Sequence, residues 1–312
     1  MRKLIAALLL MTMLIPAALC EAPAEPAEAT PAPLTASAPL SPELTAGGYA
    51  PDPNGFVAAD PDAGVKAGYR DESLEITLEQ IELDGVNYNV ARVRVADASQ
   101  LRTGLEDAKR GKKNNYVHNI AKKHNAVLAI SGDFFSKNKT GYVVRMGETF
   151  RKELSRTRDV LLIDSNGDFH VIYQGNRAAW DELTGRTDIT IPNIFNFGPV
   201  LVDEGKVVET PEYYKNTFNI KRPEPRCAIG QTGPLSYLLV VADGRSKNSD
   251  GATTEQLAAF MAEQGCITAY NLDGGDTALM WFKDDYYSRE TKRAQSDIIY
   301  FASAVNPDAT EE

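Results

Sequence analysis

Cysteine and basic residues are scarce in this chain. Its 312 residues include only three cysteines, and they are too far apart to form a paired-cysteine metal motif. Lys and Arg number 33 against 43 Asp and Glu, which gives a net charge of −10. This balance argues against a nucleic-acid partner, because such proteins carry a basic patch. The length and the 43% apolar content suffice for one large domain or two small ones.

Long apolar runs are also scarce, apart from residues 4–15 at the N-terminus. This run follows Arg2 and Lys3, and Ala18 and Cys20 supply small residues at a cleavage position. The pattern predicts a signal peptide over residues 1–20, and the run is short for a transmembrane helix. We therefore expect a secreted or cell-surface protein. Cys20 leaves open a lipid-modified N-terminus, which would be the sole membrane contact, although Leu19 before it is unfavourable.

Composition divides the rest of the chain into three parts. Residues 21–65 hold nine of the 17 prolines and seven acidic residues but no Lys or Arg, which predicts a disordered linker. Residues 66–305 are predicted to form the folded domain, and residues 306–312 a tail. Cys227 and Cys266 fall in the domain, and their sequence separation leaves a disulfide open.

Alternating apolar residues predict a largely β domain. Residues 74–83 and 86–95 flank Asp84-Gly85 as a hairpin, and Asn166-Gly167 marks another hairpin turn. Residues 97–111 are predicted to be helical, as are residues 253–264, which begin with a Thr253/Gln256 capping box. Predicted strands at residues 126–130, 236–241 and 266–270 each run into a loop that places Asp beside Gly.

The loop from Asn271 to Thr277 is the strongest candidate site. Gly274 and Gly275 allow a sharp turn and a close ligand, and Asp273 and Asp276 place charge there. A tight turn with solvated aspartates is the competing interpretation. If the three strand ends converge, they form one cleft lined by four carboxylates, those of Asp133, Asp243, Asp273 and Asp276.

Five blocks in order resemble the phosphodiester glycosidase family, and together they cover roughly residues 70–304. Each block resembles a short motif of that family. The blocks are Ser131-Gly132-Asp133-Phe134-Phe135, Phe197-Gly198-Pro199-Val200-Leu201, Pro225-Arg226-Cys227-Ala228-Ile229-Gly230, Val241-Ala242-Asp243-Gly244-Arg245 and Asn271-Leu272-Asp273-Gly274-Gly275.

The resemblance implies an α+β domain with a mostly antiparallel, curved sheet packed with a few helices. It also implies hydrolysis of a sugar similar to N-acetylglucosamine from a sugar-1-phosphodiester, with a carbohydrate or glycosyl-phosphate polymer as partner. In that reaction a carboxylate activates water and arginines neutralise the phosphate. The expected catalytic residues are Asp273, Asp133 and Arg226. The expected substrate-binding residues are Asn271, Gly274, Gly275, Asp243, Arg245 and Thr277.

The chain departs from the family pattern at Ser131, Asp133, Asp276 and Thr277. An added carboxylate beside a phosphate is unfavourable without a cation, so Asp276 is a candidate metal ligand in a Ca²⁺ site with Asp273 and Asp133. A changed substrate or lost activity would equally explain the departures. The alternative function is a non-catalytic cell-wall or glycan-binding module on the same fold. The side on which Asp276 lies distinguishes these interpretations.

Overall fold

A computed structural model describes residues 33–109, 111–215, 220–289 and 293–309. Four α-helices lie in these ranges: α1 (Val117–Lys123), α2 (Arg177–Thr184), α3 (Glu212–Lys215) and α4 (Thr254–Glu263). The strands, in chain order, are β1 (Phe56–Val57), β2 (Val65–Arg70), β3 (Leu74–Leu83), β4 (Val86–Val95), β5 (Leu101–Leu105), β6 (Leu128–Ser131), β7 (Tyr142–Arg145), β8 (Glu148–Lys152), β9 (Val160–Ile163), β10 (Phe169–Ile172), β11 (Asn193–Phe195), β12 (Val200–Asp203), β13 (Lys206–Val207), β14 (Arg226–Gly233), β15 (Ser236–Ala242), β16 (Thr268–Asn271), β17 (Met280–Phe282), β18 (Asp285–Tyr286) and β19 (Asp297–Phe301).

The strands form three sheets in which every pairing given for the described residues is antiparallel. The largest sheet has the order β1-β2-β3-β4-β15-β14-β16-β12-β13. The other two have the orders β10-β9-β11-β7-β8 and β18-β17-β6-β19-β5. The prediction of an α+β domain with mostly antiparallel sheet is therefore confirmed.

All three sheets contribute to the largest apolar cluster. Ile76, Leu161 and Ile130 belong to this cluster, and each comes from a different sheet. The other face of the largest sheet is covered by α4, where the rings of Phe260 and Tyr88 stack with centroids 3.9 Å apart. Burial of apolar residues on both faces fixes the strand register, because a shift of one residue would exchange the two faces.

Local sequence signals placed most hairpins and helix ends correctly. The hairpin of β3 and β4 turns at Asp84 and Gly85, both with positive φ, as a two-residue turn requires. The capping box of Thr253 and Gln256 is present at the start of α4. The helix predicted over residues 97–111 is wrong, because residues 101–105 form β5 and pair with β19. That partner is distant in sequence, and local polarity gives no sign of it.

The N-terminal segment from residue 33 packs on the domain. Leu40 and Leu44 are buried, β1 pairs with β2, and Arg102 donates hydrogen bonds to the carbonyl oxygens of Ser41 and Glu43 at 2.8 and 3.1 Å. The prediction of a disordered linker over residues 21–65 is therefore wrong for residues 33–65. In this stretch scattered apolar side chains, such as Leu40 and Leu44, pack into the apolar clusters of the domain. Residues 21–32 and the predicted signal peptide lie outside the described residues.

No helix in the described residues is long and apolar enough to cross a membrane. Cys227 and Cys266 are buried free thiols, so the disulfide that the sequence left open is not formed. Burial raises the pKa of both thiols. Both cysteines therefore act as small core residues.

Candidate active site

Antiparallel pairing of β14 with β16 creates the candidate site. In this register Ala228 lies opposite Asn271. The chain that follows β16 therefore lies beside Arg226, the first residue of β14. The N–H of Leu272 donates to the carbonyl of Cys227 at 2.8 Å and continues the pairing past the strand end. Asp273 and Arg226 are thereby brought to one place although 47 residues separate them in sequence.

A cleft of about 160 Å³ opens at this point. This volume is below the roughly 300–1,000 Å³ of pockets for drug-sized ligands, which limits the occupant to a small group or one end of a larger molecule. Three chain segments and Arg245 supply the walls. The lining residues are Phe197, Gly198, Ile220, Glu224, Arg226, Arg245, Asn271, Asp273, Gly274 and Gly275.

Asp273 is the carboxylate with the properties of a general base. Burial raises the pKa of its carboxyl to about 6, although a hydrogen bond from Thr277 opposes the rise. The Thr277 hydroxyl donates to one carboxylate oxygen at 2.6 Å, and the N–H of Gly274 donates to the other at 3.1 Å. A carboxylate with a pKa near neutrality can take a proton from water and release it again. Thr277 is absent from the cleft wall, so it orients Asp273 rather than contacting a ligand.

Asn271 presents a fixed hydrogen-bond acceptor. It is 3% exposed, and its Nδ2 donates to the carbonyl of Gly198 at 2.7 Å. This bond sets the orientation of the amide and leaves Oδ1 with no hydrogen-bond partner among the described residues. A buried acceptor without a partner costs free energy, and a hydroxyl or N–H of a ligand would satisfy it. The predicted substrate-binding role of Asn271 stays a prediction, and this geometry favours it.

The cleft contains two arginines, Arg226 and Arg245, that differ in solvent exposure. Arg226 is 8% exposed and donates from Nε to the carbonyl of Ala252 and from Nη2 to the carbonyl of Arg222, both at 3.0 Å. Burial lowers its pKa to about 10, as expected for a poorly solvated cation that an anionic ligand would stabilise. Arg245 is more exposed and donates to Glu224 at 2.7 Å and to Asp276 at 2.9 Å.

Asp276 lies at the rim and does not line the cleft. Its side chain is 54% exposed and is paired with Arg245, which it shares with Glu224. Among the residues that the structure describes, no group of three or more His, Cys, Asp or Glu side chains could hold a metal ion. The Ca²⁺ arrangement predicted from Asp133, Asp273 and Asp276 is therefore not formed, because two of the three carboxylates pair with arginines instead.

Asp133 is part of a buried ion-pair cluster behind the cleft. Its Oδ1 lies 2.6 Å from Nη2 of Arg145, and its Oδ2 accepts from the N–H of Asn196 at 2.8 Å. Arg145 also contacts Asp297 at 3.0 Å, and all three charged side chains are 0% exposed. Both oxygens of Asp133 thus have buried donors, and the residue is absent from the cleft wall. The geometry gives Asp133 a structural role in place of the predicted water activation.

The N–H groups of the two loop glycines, Gly274 and Gly275, donate hydrogen bonds within the chain. The N–H of Gly275 donates to the carbonyl of Pro225 at 2.8 Å, and the N–H of Gly274 is used by Asp273. A Cβ on Gly274 would lie 2.7 Å from the same Pro225 carbonyl oxygen. Both donors are engaged within the chain although both glycines line the cleft, so their predicted substrate-binding role stays a prediction. The glycines let the Asp273 loop pack closely against the start of β14.

Asp243 lies outside the cleft wall. Its carboxylate accepts from Nδ2 of Asn87 at 2.9 Å and from the N–H of Arg289 at 3.0 Å. Convergence of the strand ends is therefore partial. The end of β6 meets the Asp273 loop, where the N–H of Asp273 donates to the carbonyl of Gly132 at 3.2 Å. From the loop after β15, Arg245 reaches the cleft and Asp243 does not.

A family model described as phosphodiester glycosidase matches residues 124–302, which is more than half of the chain. The chain belongs to the phosphodiester glycosidase family. Two solved structures are similar in fold. The catalytic domain of zebrafish N-acetylglucosamine-1-phosphodiester alpha-N-acetylglucosaminidase, auto-inhibited by its pro-peptide, has a TM-score of 0.56 and 16% identity, over 74% of this chain and 83% of that one. A hypothetical protein from Synechocystis has a TM-score of 0.58 and 14% identity, over 76% and 63%.

A sequence relative is the SPbeta prophage-derived uncharacterized protein YomE of Bacillus subtilis (strain 168). It is 28% identical over 116 residues, which are 37% of this chain and 18% of that protein. The present chain therefore spans only a small part of that relative. The identities to the solved structures are low enough that they establish the fold alone.

The sequence did not point to several residues of this cleft and its surroundings. Glu224 and Ile220 line the cleft from a stretch that reads as an irregular loop. Arg145 and Asp297 form the cluster that holds Asp133. Arg145 and Asp297 each stand at the end of a largely apolar strand, and this position was the sequence feature that could have identified them. A charged residue that is buried there requires a partner of opposite charge.

The ion-pair cluster predicts a large stability difference between two aspartates. We expect Asp133→Asn to lower the free energy of unfolding by about 3–5 kcal/mol, because it removes one partner from a buried pair. Asp276→Asn breaks an exposed pair and should cost less than about 1 kcal/mol. Urea unfolding of both variants measures the difference. Equal losses in the two variants would contradict the structural role of Asp133.

Proposed function

We propose that this chain is an exported glycoside hydrolase that releases a sugar similar to N-acetylglucosamine from a sugar-1-phosphodiester. The observation behind the proposal is that Asp273, a partly buried carboxylate with a raised pKa, lines the same cleft as Arg226, a buried cation. Family membership supports hydrolysis of a glycosyl phosphodiester. The sugar and its setting in cell-envelope or extracellular glycans are part of the proposal.

The chemistry requires one water molecule and two kinds of charge. The water oxygen bonds to the anomeric carbon while the bond from that carbon to the phosphate oxygen breaks. The electron pair of the broken bond stays on that oxygen, so a phosphomonoester leaves. Asp273 accepts the proton of the attacking water.

The phosphate is a good leaving group and needs charge neutralisation more than a general acid. Arg226 faces it from within the cleft, and Arg245 adds a guanidinium at the rim. Asn271 Oδ1 accepts a hydrogen bond from a sugar hydroxyl or amide. Arg245 also holds Asp276 away from the phosphate, which removes the electrostatic objection that this added carboxylate raises against family chemistry.

Export and a carbohydrate partner complete the proposal. The charged start and apolar run of residues 1–20 support export, and lipidation of Cys20 would anchor the protein to a membrane. These residues lie outside the part of the chain that the structure describes. A Ca²⁺ requirement is also part of the test, although the residues first expected to bind the ion do not gather around one point.

Loss of the Asp273 carboxylate is expected to abolish turnover. With a UDP-linked α-N-acetylglucosamine diester, Asp273→Asn should lower kcat/KM by about 10²–10⁴-fold, because a general base contributes that much. Asp276→Asn, at the rim, is the matched control and should retain activity near wild type. Sugar release is measured with and without added Ca²⁺, and folding is checked by circular dichroism.

The outcome separates the enzyme from the alternative glycan-binding module. Wild-type turnover that survives Asp273→Asn would contradict the assignment of the base. Absence of turnover in folded wild type, with or without Ca²⁺, would contradict the proposed substrate and favour the binding module.

The pH profile is expected to report Asp273 directly. Its carboxyl is ionised above a pKa of about 6, so kcat/KM should fall as the pH drops through about 6. Thr277→Val removes a hydrogen bond that stabilises the ionised form, which raises the pKa and moves the acid limb to higher pH by about one unit. Thr277→Ser keeps the hydroxyl and serves as control. An acid limb at the same pH in all three proteins would show that another group controls it.

A further inference from the structure

Asp159 does not line the cleft, yet its buried carboxylate connects three chain segments. It is 0% exposed, and burial raises the pKa of its carboxyl against the hydrogen bonds that it accepts. One oxygen accepts from the hydroxyl of Tyr213 and from the N–H of Gln174 at 3.0 Å. The other accepts from the N–H of Val200 at 3.1 Å. Three donors on one buried carboxylate fix the relative positions of α3, β12 and the turn after β10.

The backbone of Asp159 extends these contacts to a cleft wall. Its N–H donates to the hydroxyl of Tyr214 at 2.6 Å, and its carbonyl accepts from the hydroxyl of Tyr270 at 2.8 Å. The same two hydroxyls hold Phe197: Tyr214 donates to its carbonyl at 3.2 Å, and its N–H donates to Tyr270 at 2.8 Å. Both backbone groups of Phe197, a wall residue, therefore depend on hydroxyls that Asp159 positions.

Gly198 completes this wall. A Cβ at Gly198 would collide with the hydroxyl of Tyr214, so the wall and that tyrosine are packed as closely as the backbone allows. On its other side Gly198 exchanges hydrogen bonds with Asn271, from the Gly198 N–H to the Asn271 carbonyl at 3.1 Å and from Nδ2 to the Gly198 carbonyl. The wall is thus held between the tyrosines and the asparagine that presents Oδ1.

The carboxylate of Asp159 also contacts α3, through Tyr213. Tyr213 and Tyr214 belong to α3, which ends at Lys215. Ile220 and Glu224, further along the chain, line the cleft. Asp159 therefore contacts the Phe197 wall through Val200 and two tyrosines, and contacts the α3 side through Tyr213. A change at Asp159 would alter the position of the Phe197 wall without removing any group that touches a ligand.

We propose that Asp159 is a positioning residue that fixes the Phe197 wall of the cleft and thereby sets substrate affinity. For its kinetic consequence this inference rests on the proposed function. Asp159 contacts no substrate and takes no part in proton transfer. Its loss should weaken substrate binding much more than the chemical step, because Asp273 and Arg226 are held by the backbone pairing of β14 with β16, and the Asp159 carboxylate contacts neither strand.

The test combines kinetics with a measurement that needs no turnover. Asp159→Asn places an NH₂ group against one of three donors, and we expect KM to rise about tenfold or more while kcat changes less. We also expect faster hydrogen exchange at the amides of Phe197 and Gly198. Asp164→Asn is the matched control, because Asp164 is also buried and accepts from the N–H groups of Asn166 and Asp168, which do not line the cleft.

A second variant, Tyr214→Phe, keeps the ring and removes only the hydroxyl, so it decides the matter if Asp159→Asn does not fold. Faster exchange at Phe197 and Gly198 in either variant, with little change in Asp164→Asn, supports the proposal. Unchanged exchange in the folded variants, or the same change in the control, would overturn it. If the wild type shows no turnover, the exchange result still decides the role of Asp159, and the failure belongs to the proposed function.

Discussion

The pairing of β14 with β16 is the constraint on which the candidate site depends. It sets Arg226 beside the loop that leaves β16 and so brings a buried cation and a partly buried carboxylate to one cleft. Desolvation disfavours the charged form of each group. The raised pKa of Asp273 and the lowered pKa of Arg226 are two consequences of this one arrangement. Both residues are therefore poised to interact with a charged, hydrogen-bonding ligand.

The remaining acidic residues near the cleft form ion pairs with arginines. Arg145 pairs with Asp133 and Asp297 in the interior, and Arg245 pairs with Glu224 and Asp276 at the rim. This division leaves the lining of the cleft with two acidic and two basic residues, Glu224 and Asp273 against Arg226 and Arg245. It also explains how Asp133 and Asp276, both departures from the family pattern, fit the fold without a shared cation.

Local patterns in the sequence predicted the features that short-range physics determines. Alternation and turn residues placed the β3–β4 hairpin, and a capping box placed α4. The Asp273 loop was identified because glycines and carboxylates follow a buried strand. The buried ion pair of Asp133 was not foreseen, because its partner, Arg145, is identified only by three-dimensional packing. For the same reason β5 was taken for a helix, since its partner β19 lies near the other end of the chain.

The central claim is that this cleft directs water to the anomeric carbon and not to phosphorus. Hydrolysis of the UDP-linked α-N-acetylglucosamine diester in ¹⁸O-labelled water, followed at once by mass spectrometry of both products, tests it most directly. The account predicts that the label enters the released sugar and is absent from the phosphomonoester. Label in the phosphate product would show cleavage of the bond between phosphorus and oxygen, and would contradict the glycosidase mechanism.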